Sequence, residues 1–400
     1  MTEMNSEQAV IPLAQPKLPT TRDLLPYLER IDESGWYTNH GPLEEEFRRR
    51  VATEIGCGPD NIATASSATA ALIATLQAVT KAAKPQQQKV IVPNLTFVAT
   101  GLAVMQAGYV PVLAEVTGPD WQLDPTDIAD YEDLESVAAV MPVGAFGTGV
   151  SQKPWQDFTT TTGIPVIIDL AAGWEPLTIT PDRHFGPIPT VVSLHATKTF
   201  AAGEGGFVAC GDEQLTEDIE RWLNFGFHGS RLATVAGFNG KLSEYHCAVG
   251  LASLDDLPDS IRAFNDVAAV YEDVLADLAE DSLITAPAVA SCYAMLKAPT
   301  HAVLDQWRQG FTDRSIETKA WYGQGLSGHP VFANAPHFGD VTVPALLGLP
   351  MSPRFTDQTA HRVANAAQEI LESQKQRTGS AIQPETSSPP RREPDRTRND

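Results

Sequence analysis

The sequence has few cysteines and no long apolar run, and both absences exclude classes of protein. The cysteines are Cys57, Cys210, Cys247 and Cys292, and no two of them form a CxxC pair. This spacing argues against a zinc ribbon or a dithiol redox site and favours reduced thiols in a cytoplasmic protein. No stretch of 18 apolar residues occurs, so no transmembrane helix is predicted. The first residues lack the basic start and apolar core of a secretory signal, and a cytoplasmic location is therefore expected.

Positive charge is also scarce, because 28 Lys and Arg stand against 50 Asp and Glu, for a formal net charge of −22. Such a surface repels a nucleic-acid backbone or an anionic membrane, and neither is predicted as a partner. The nine histidines show no metal-ligand spacing, so no metal site is predicted. No GxGxxG motif opens a predicted βαβ unit, and the motifs GxxxxGK[ST], HExxH and GxSxG are absent, which disfavours the chemistries that they serve.

Apolar runs alternate with helix-length segments between residues 60 and 210. Six runs are predicted as strands: Val90–Val92, Val110–Val116, Val137–Val143, Pro165–Leu170, Thr190–Leu194 and Gly206–Cys210. Because polar alternation is missing, these runs predict a largely parallel sheet that is covered on both faces. Ligands of such sheets bind at the carboxyl ends of the strands. A long helical region is predicted from about Leu242 to Leu278.

Changes in pattern divide the chain into four expected parts. They are an N-terminal arm and helix (1–34), a large domain (35–255), a smaller C-terminal α/β domain (256–375) and a tail (376–400). The tail is rich in Pro, Ser, Arg and Asp without apolar periodicity, and it is predicted to be disordered.

The stretch TVVSLHATKTFAAGEGG presents Lys198 in a polar turn that follows a predicted strand. A lone lysine in such a turn is most often a solvated surface residue. The small residues on both sides, however, permit the close approach of a planar ligand. An amine that loses water there suits Schiff-base chemistry, and Lys198 is therefore a candidate reactive amine.

Three further places extend this hypothesis, although each has a commonplace alternative. Asp169 ends the run VIID; it is either a turn residue or a buried carboxylate paired with the protonated ring nitrogen of pyridoxal 5'-phosphate (PLP). The segment SSATAAL (66–72) is either a plain helix cap or an anion site at a helix N-terminus. Phe97 follows a strand and either packs in the core or lies over a flat ring.

With these pieces in place, the sequence resembles the DegT/DnrJ/StrS family of PLP-dependent nucleotide-sugar aminotransferases. The resemblance runs from about residue 34 to 372. It rests on GWYTNHGPLEEEF, ASSATAAL, VPNLTFVAT, PVGAFG, VIIDLAAG, SLHATKTFAAGEGG, NFGF, GFNGKLSE and, more weakly, TKAWYGQG and LGLPMSP. It implies an α/β fold of PLP fold type I, the aspartate-aminotransferase-like fold. That fold has a mostly parallel seven-stranded sheet in the large domain, and the family works as a homodimer with shared active sites.

The resemblance also implies roles for individual residues. Lys198 matches the Schiff-base lysine and Asp169 the partner of the pyridine nitrogen. The other implied cofactor-binding residues are Ala68, Thr69 and Ser193 at the phosphate, Phe97 on the ring, and Asn239 from the neighbouring subunit. The substrate-side candidates are Trp36, Tyr37, Tyr322 and His329.

Three departures from the family pattern accompany these matches. Ala172 stands where the family usually has His or Gln near the cofactor's 3'-oxygen, and Gly144 stands where many members have His. In the C-terminal motif the usual histidine is displaced, with Ser327 and His329 nearby.

The expected reaction is transamination of a nucleotide-linked keto sugar with L-glutamate as amino donor. HATK, NFGF and GFNGKLSE are most similar to the branch that acts on 4-keto-6-deoxy sugars. Two alternatives stay open. One is a sugar dehydratase, a branch in which histidine replaces the lysine that is present here; the other is a non-catalytic, regulatory member of the same fold.

Overall fold

The computed structural model describes residues 9–116, 118, 120–278 and 282–380, with the backbone alone for 376–380. Its helices are α1 (Thr21–Ser34), α2 (Pro42–Ile55), α3 (Ala68–Val79), α4 (Val98–Gln106), α5 (Pro125–Ala129), α6 (Gln152–Thr162), α7 (Trp174–Ile179), α8 (Pro181–His184), α9 (Glu213–Leu223), α10 (Glu244–Leu275), α11 (His301–Thr312) and α12 (Asp357–Ser380). Its strands are β1 (Ile62–Ala65), β2 (Lys89–Pro93), β3 (Val110–Ala114), β4 (Val137–Val140), β5 (Ile168–Asp169), β6 (Thr190–Ser193), β7 (Gly206–Ala209), β8 (Leu283–Ile284), β9 (Met295–Ala298), β10 (Lys319–Trp321), β11 (His337–Phe338) and β12 (Ala345–Gly348). None of the described helices is long and apolar enough to cross a membrane.

The first seven strands form one large sheet in the order β1-β7-β6-β5-β4-β2-β3. Two parallel bridges, Val140–Val166 and Val143–Asp169, join β4 to β5 and so unite the two halves of the sheet. Only β7 runs antiparallel to its two neighbours, β1 and β6. The predicted α/β fold class with a mostly parallel sheet is confirmed, but the predicted count of seven strands is exceeded, because the short strand β11 pairs in parallel with β3 at the edge.

Both faces of the large sheet are buried, as its uninterrupted apolar runs predict. Val191 and Val192 are adjacent in β6, yet their side chains lie in different apolar clusters. Successive strand residues point to opposite faces, so this division places one cluster on each side of the sheet. Polar groups are therefore left at the ends of the strands, where the cavity described below opens.

The smaller sheet is antiparallel, in the order β10-β12-β9-β8. The helix α10 connects the two parts of the chain, since its Leu257 packs with the large-sheet core and its Phe264 with the core of the smaller sheet. The N-terminal arm lies on the smaller sheet's side, where Ile11 pairs with Ile316 and Ala14 with Met351.

Some predicted boundaries need correction. The strand β1 was not predicted, because IATA lacks a run of β-branched residues. The expected division at 255/256 falls inside the continuous helix α10. Part of the predicted smaller domain also returns to the large sheet: Phe332 is buried against Gly101 of α4, and β11 pairs in parallel with β3.

The helix α12 continues to Ser380 and so includes residues 376–380 of the predicted tail. The stretch SQKQR (373–377) consists largely of good helix formers and precedes the last three residues of the helix, and the next proline is Pro384. The rest of the predicted tail, 381–400, lies outside the described residues, as does the start of the predicted arm, 1–8.

Candidate active site

A cavity of about 470 Å³ opens at the carboxyl edge of the large sheet, beside the smaller sheet. Seven of the residues predicted to bind cofactor or substrate line it: Ala68, Thr69, Phe97, Asp169, Ser193, Lys198 and Tyr322. They come from the ends of β5 and β6, the segment after β2, the start of α3 and the segment after β10. Because strand ends meet at one edge, residues far apart in sequence share this cavity.

Lys198 lies in a tight turn between β6 and β7. The turn is closed by the Ala196 N–H, which donates to the Gly203 carbonyl at 2.9 Å, and by the Ala202 N–H, which donates to the Leu194 carbonyl at 2.8 Å. Gly203 has φ +85°, a left-handed conformation that favours glycine. The backbone of this turn therefore fixes the position of the Lys198 Cα. The Nζ of Lys198 lies 3.2 Å from the Tyr293 hydroxyl oxygen.

Asp169 is buried at the inner end of the cavity. The Thr100 hydroxyl donates to its Oδ2 at 2.7 Å, and the Ala171 N–H donates to its Oδ1 at 3.2 Å. Burial raises the pKa of this carboxyl, while the two hydrogen bonds and the charge of Lys198 act in the opposite direction. Among the described residues Asp169 has no ion-pair partner. A cationic ligand group beside it would stabilise the buried charge.

The N-terminus of α3 faces the same cavity. Ser67 caps the helix by accepting the Ala70 N–H at 3.1 Å, so the N–H groups of Ala68 and Thr69 belong to the first turn, which has no intrahelical acceptors. A Cβ placed on Gly206 of β7 would lie 2.7 Å from the Ala68 nitrogen, so only glycine permits this close packing. The result is an anion-binding geometry.

Aromatic rings form the wall of the cavity towards the smaller sheet. Tyr322 stacks on Phe146 with ring centroids 5.0 Å apart and planes 3° apart. Phe97 lies 6.3 Å from the Tyr322 ring and is 54% exposed, which leaves its face open to a ligand. Flat, apolar surfaces therefore border the space in front of Lys198.

Four predicted residues do not line the cavity: Trp36, Tyr37, Asn239 and His329. Trp36 and Tyr37 are about half exposed, and Tyr37 stacks on Tyr245 at 6.2 Å. Asn239 is exposed, and its Oδ1 accepts from Lys241 at 2.8 Å. His329 is also exposed and contacts Phe332 edge-on. Within one chain, these side chains do not belong to the site.

Among the polar residues of the cavity that sequence reasoning missed are Thr100, Tyr293 and Lys319. Thr100 follows Phe97 by three positions, so helical spacing from that motif was a usable signal. Lys319 lies in the weak motif TKAWYGQG beside the predicted Tyr322, whereas Tyr293 lies in none of the motifs and is brought to the cavity by the packing of the smaller sheet.

The structure accounts for one departure from the family pattern. A Cβ on Gly144 would lie 2.2 Å from the Thr148 carbonyl oxygen and 2.3 Å from Leu170 Cδ1. A histidine therefore does not fit at this position without rearrangement. Ala172 lines the cavity and contributes no side-chain hydrogen-bonding group.

A large mostly parallel sheet, a lysine after β6 and a buried aspartate at the end of β5 are the features of a fold type I aminotransferase. The comparison with protein families agrees: the chain belongs to the DegT/DnrJ/EryC1/StrS aminotransferase family, which matches residues 20–368. The protein is thus an aminotransferase by family, and the family is PLP-dependent.

Individual relatives cover most of the chain. Protein Rv3402c of Mycobacterium tuberculosis is 29% identical over 376 residues, which is 90% of each chain. A dTDP-4-amino-4,6-dideoxy-D-glucose transaminase of Shigella dysenteriae is 30% identical over 274 residues, 68% of this chain and 72% of its own. The crystal structure of DesI in the presence of its TDP-sugar product has a TM-score of 0.80 at 26% identity, covering 94% of this chain and 96% of that one.

Proposed function

We propose that this protein binds PLP in the cavity and transfers the amino group of L-glutamate to a keto sugar carried on a nucleotide. The observation that carries the proposal is that the Lys198 amine, the buried Asp169 carboxylate and the N-terminus of α3 share one cavity. These groups match the three polar parts of PLP, namely its aldehyde, ring nitrogen and phosphate. The residues therefore fit the cofactor.

When bound, PLP supplies an electron sink for the bond changes at the amino acid's α-carbon. Lys198 would hold the cofactor covalently, and its amine would move the proton at that carbon as general base and acid. Asp169 would keep the ring nitrogen protonated, since a buried carboxylate is stabilised by an adjacent cation. The N–H groups of Ala68 and Thr69, with Ser193, orient the phosphate.

The cavity wall supports a sugar that is poor in hydroxyl groups. Phe97 and Phe146 contribute apolar rings along this side, and the Tyr322 ring stacks on Phe146. An apolar wall leaves a hydroxyl unpaired and favours a methyl or methylene group. A 4-keto-6-deoxy sugar has this character, and the Shigella relative is named for a 4-amino-4,6-dideoxy sugar.

We further propose that two copies of the chain complete the site. Four large aromatic side chains are each about half exposed, which leaves apolar ring surface in contact with water: Trp36, Tyr37, Phe225 and Tyr245. A second copy that covers them would explain this exposure and bring its Asn239 to the phosphate. Sedimentation equilibrium measures the assembly directly, and a monomer at working concentration would contradict this part of the proposal.

The proposed reaction is tested by absorbance and product analysis. With PLP, the purified protein is expected to show the visible band of a Schiff base, and this band should be lost when L-glutamate is added. The glutamate-treated protein is then incubated with a panel of nucleotide-linked keto sugars, and the products are identified by mass spectrometry and NMR.

The outcomes separate the alternatives. An aminated sugar supports the proposal, whereas a deoxygenated sugar without nitrogen identifies a dehydratase. A band that glutamate does not change, with no product from any sugar, identifies the non-catalytic alternative. Absence of the band would overturn PLP binding itself.

Lys319 is expected to bind the negative charge of the nucleotide. It is exposed, lines the cavity and holds its Nζ 4.5 Å from the centre of the Trp321 ring. Replacing it with methionine should raise the KM for the nucleotide sugar about 10-fold, because a hydrogen bond to a charged group contributes about 1.5 kcal/mol. The kcat should change little.

The matched control is Lys297→Met, an exposed lysine on β9 of the same sheet that does not line the cavity. Steady-state kinetics at two ionic strengths make the comparison. Equal KM values for the two variants would exclude the proposed role of Lys319.

A further inference from the structure

Tyr293 places its hydroxyl beside the amine of Lys198. The two atoms are 3.2 Å apart, whereas the amine lies 5.7 Å from the centre of the tyrosine ring. The contact is therefore a hydrogen bond to the hydroxyl rather than an interaction with the ring face. It joins residues 95 positions apart that both line the cavity.

The segment around Tyr293 is held in place by the large domain. The Ala290 N–H donates to the Phe146 carbonyl at 2.9 Å, and the Ser291 N–H donates to Glu175 Oε1 at 2.9 Å. The Tyr293 ring packs edge-on against Phe146 and Trp321, with centroids 5.6 and 6.1 Å away. The hydroxyl is thus presented by a fixed ring and not by a mobile side chain.

The tyrosine remains a neutral phenol at neutral pH. Burial raises its pKa, and the nearby Cys292 and Glu175 act in the same direction. A neutral hydroxyl carries one donor and two acceptor positions. It can donate to a neutral lysine amine and accept from a protonated one, so it follows the lysine through both protonation states.

We propose that Tyr293 is a positioning residue that holds the Lys198 amine by a hydrogen bond whenever the amine is not bound to cofactor. This inference rests on the proposed function, in which Lys198 must leave the cofactor and return to it. A long lysine side chain that is free to rotate would spend much of its time in rotamers that keep the amine away from the reactive geometry. The hydroxyl limits that freedom from the side opposite the lysine's own turn.

Chemical labelling of the cofactor-free protein tests the hydrogen bond without any reaction. Acetic anhydride modifies neutral amines, and mass spectrometry of the Lys198 peptide gives the rate of its acetylation. Tyr293→Phe keeps the ring and removes the hydroxyl, so it frees the nitrogen lone pair. We expect labelling of Lys198 to become about 5-fold faster, since a neutral hydrogen bond contributes about 1 kcal/mol.

Tyr271→Phe is the matched control. Its hydroxyl is also buried, but it donates to the Pro350 carbonyl at 2.7 Å and does not line the cavity. This variant should leave the labelling rate of Lys198 unchanged. Equal rates in the wild type and in Tyr293→Phe would overturn the proposal, whether or not the protein binds PLP.

The half-reaction with glutamate tests whether the hydrogen bond from Tyr293 speeds the proton transfer by Lys198. In Tyr293→Phe the PLP band should form as in the wild type. The rate at which saturating glutamate removes the band should fall about 10-fold, while the glutamate concentration that gives half of the maximal rate should change little. Glutamate deuterated at the α-carbon should show a larger isotope effect in the variant, because proton transfer limits the rate more. A merely structural role would alter the melting temperature and leave the isotope effect unchanged, and that result would also overturn the proposal. A wild type without the band would refute the proposed function, while the labelling result would still decide the role of Tyr293.

Discussion

Replacing Lys198 with alanine is expected to abolish amino transfer and to remove the visible absorbance of bound PLP at the same time. The amine is the nucleophile that binds the cofactor and the base that moves the proton, so one substitution removes both contributions. General acid–base catalysis alone contributes about 10²- to 10⁴-fold, and we therefore expect a loss of at least about 10⁴-fold in kcat. Stopped-flow absorbance with L-glutamate and product analysis by mass spectrometry measure the two losses.

Lys198→Arg is the control that separates charge from nucleophilicity. Arginine keeps a positive charge near Tyr293 and Asp169, but its guanidinium does not lose a proton in proteins and forms no Schiff base under these conditions. The Arg variant should be as inactive as the Ala variant and should bind PLP without the band. Substantial activity in either variant would show that another group performs the chemistry.

The residues at the strand ends could be predicted from the sequence because local patterns determine them. Asp169 and Ser193 each end an apolar strand, and Lys198 lies in the small-residue turn after the second one. Parallel strands bring these ends together, so no knowledge of the loops was required. The start of α3 was predictable for a similar reason, since hydroxylated and small residues precede a helix there.

The other side of the cavity could not be predicted in the same way. Tyr293 and Lys319 come from the smaller domain, and their positions depend on how its sheet packs against the large one. The return of Phe332 to the large sheet likewise depends on space that Gly101 provides in α4. Such contacts follow from long-range packing, which periodicity and motif spacing do not encode.

A further limit on predicting the site from the sequence is illustrated by Asn239, Trp36 and Tyr37. Motifs indicate that residues serve a site, but not which copy of the chain contributes them. All three are exposed in the single chain and lie outside its cavity. Their contribution therefore depends on the proposed assembly of two copies.

Replacing Asp169 with asparagine is expected to have opposite effects on the cofactor-free and cofactor-bound protein. Because burial raises the pKa of Asp169 in the folded chain, its stability contribution is present below the unfolded pKa and is lost as pH rises through the folded value. At neutral pH the ionised carboxylate therefore destabilises the cofactor-free fold. Asparagine removes that charge, so the cofactor-free variant should melt at a higher temperature than the wild type, and this difference should shrink in acid.

Binding of PLP should reverse the order, because the wild-type carboxylate gains a cationic partner that asparagine cannot stabilise. The increase in melting temperature on adding PLP should thus be larger for the wild type than for Asp169→Asn. Removing one partner of a buried charge pair costs about 3–5 kcal/mol, so kcat should fall about 10³-fold. Thr100→Val is the matched control: it removes the 2.7 Å hydrogen bond to Asp169 but keeps the charge, and it should lower kcat only about 10-fold. Equal PLP-induced shifts in melting temperature for the wild type and Asp169→Asn would mean that this carboxylate does not face the ring nitrogen.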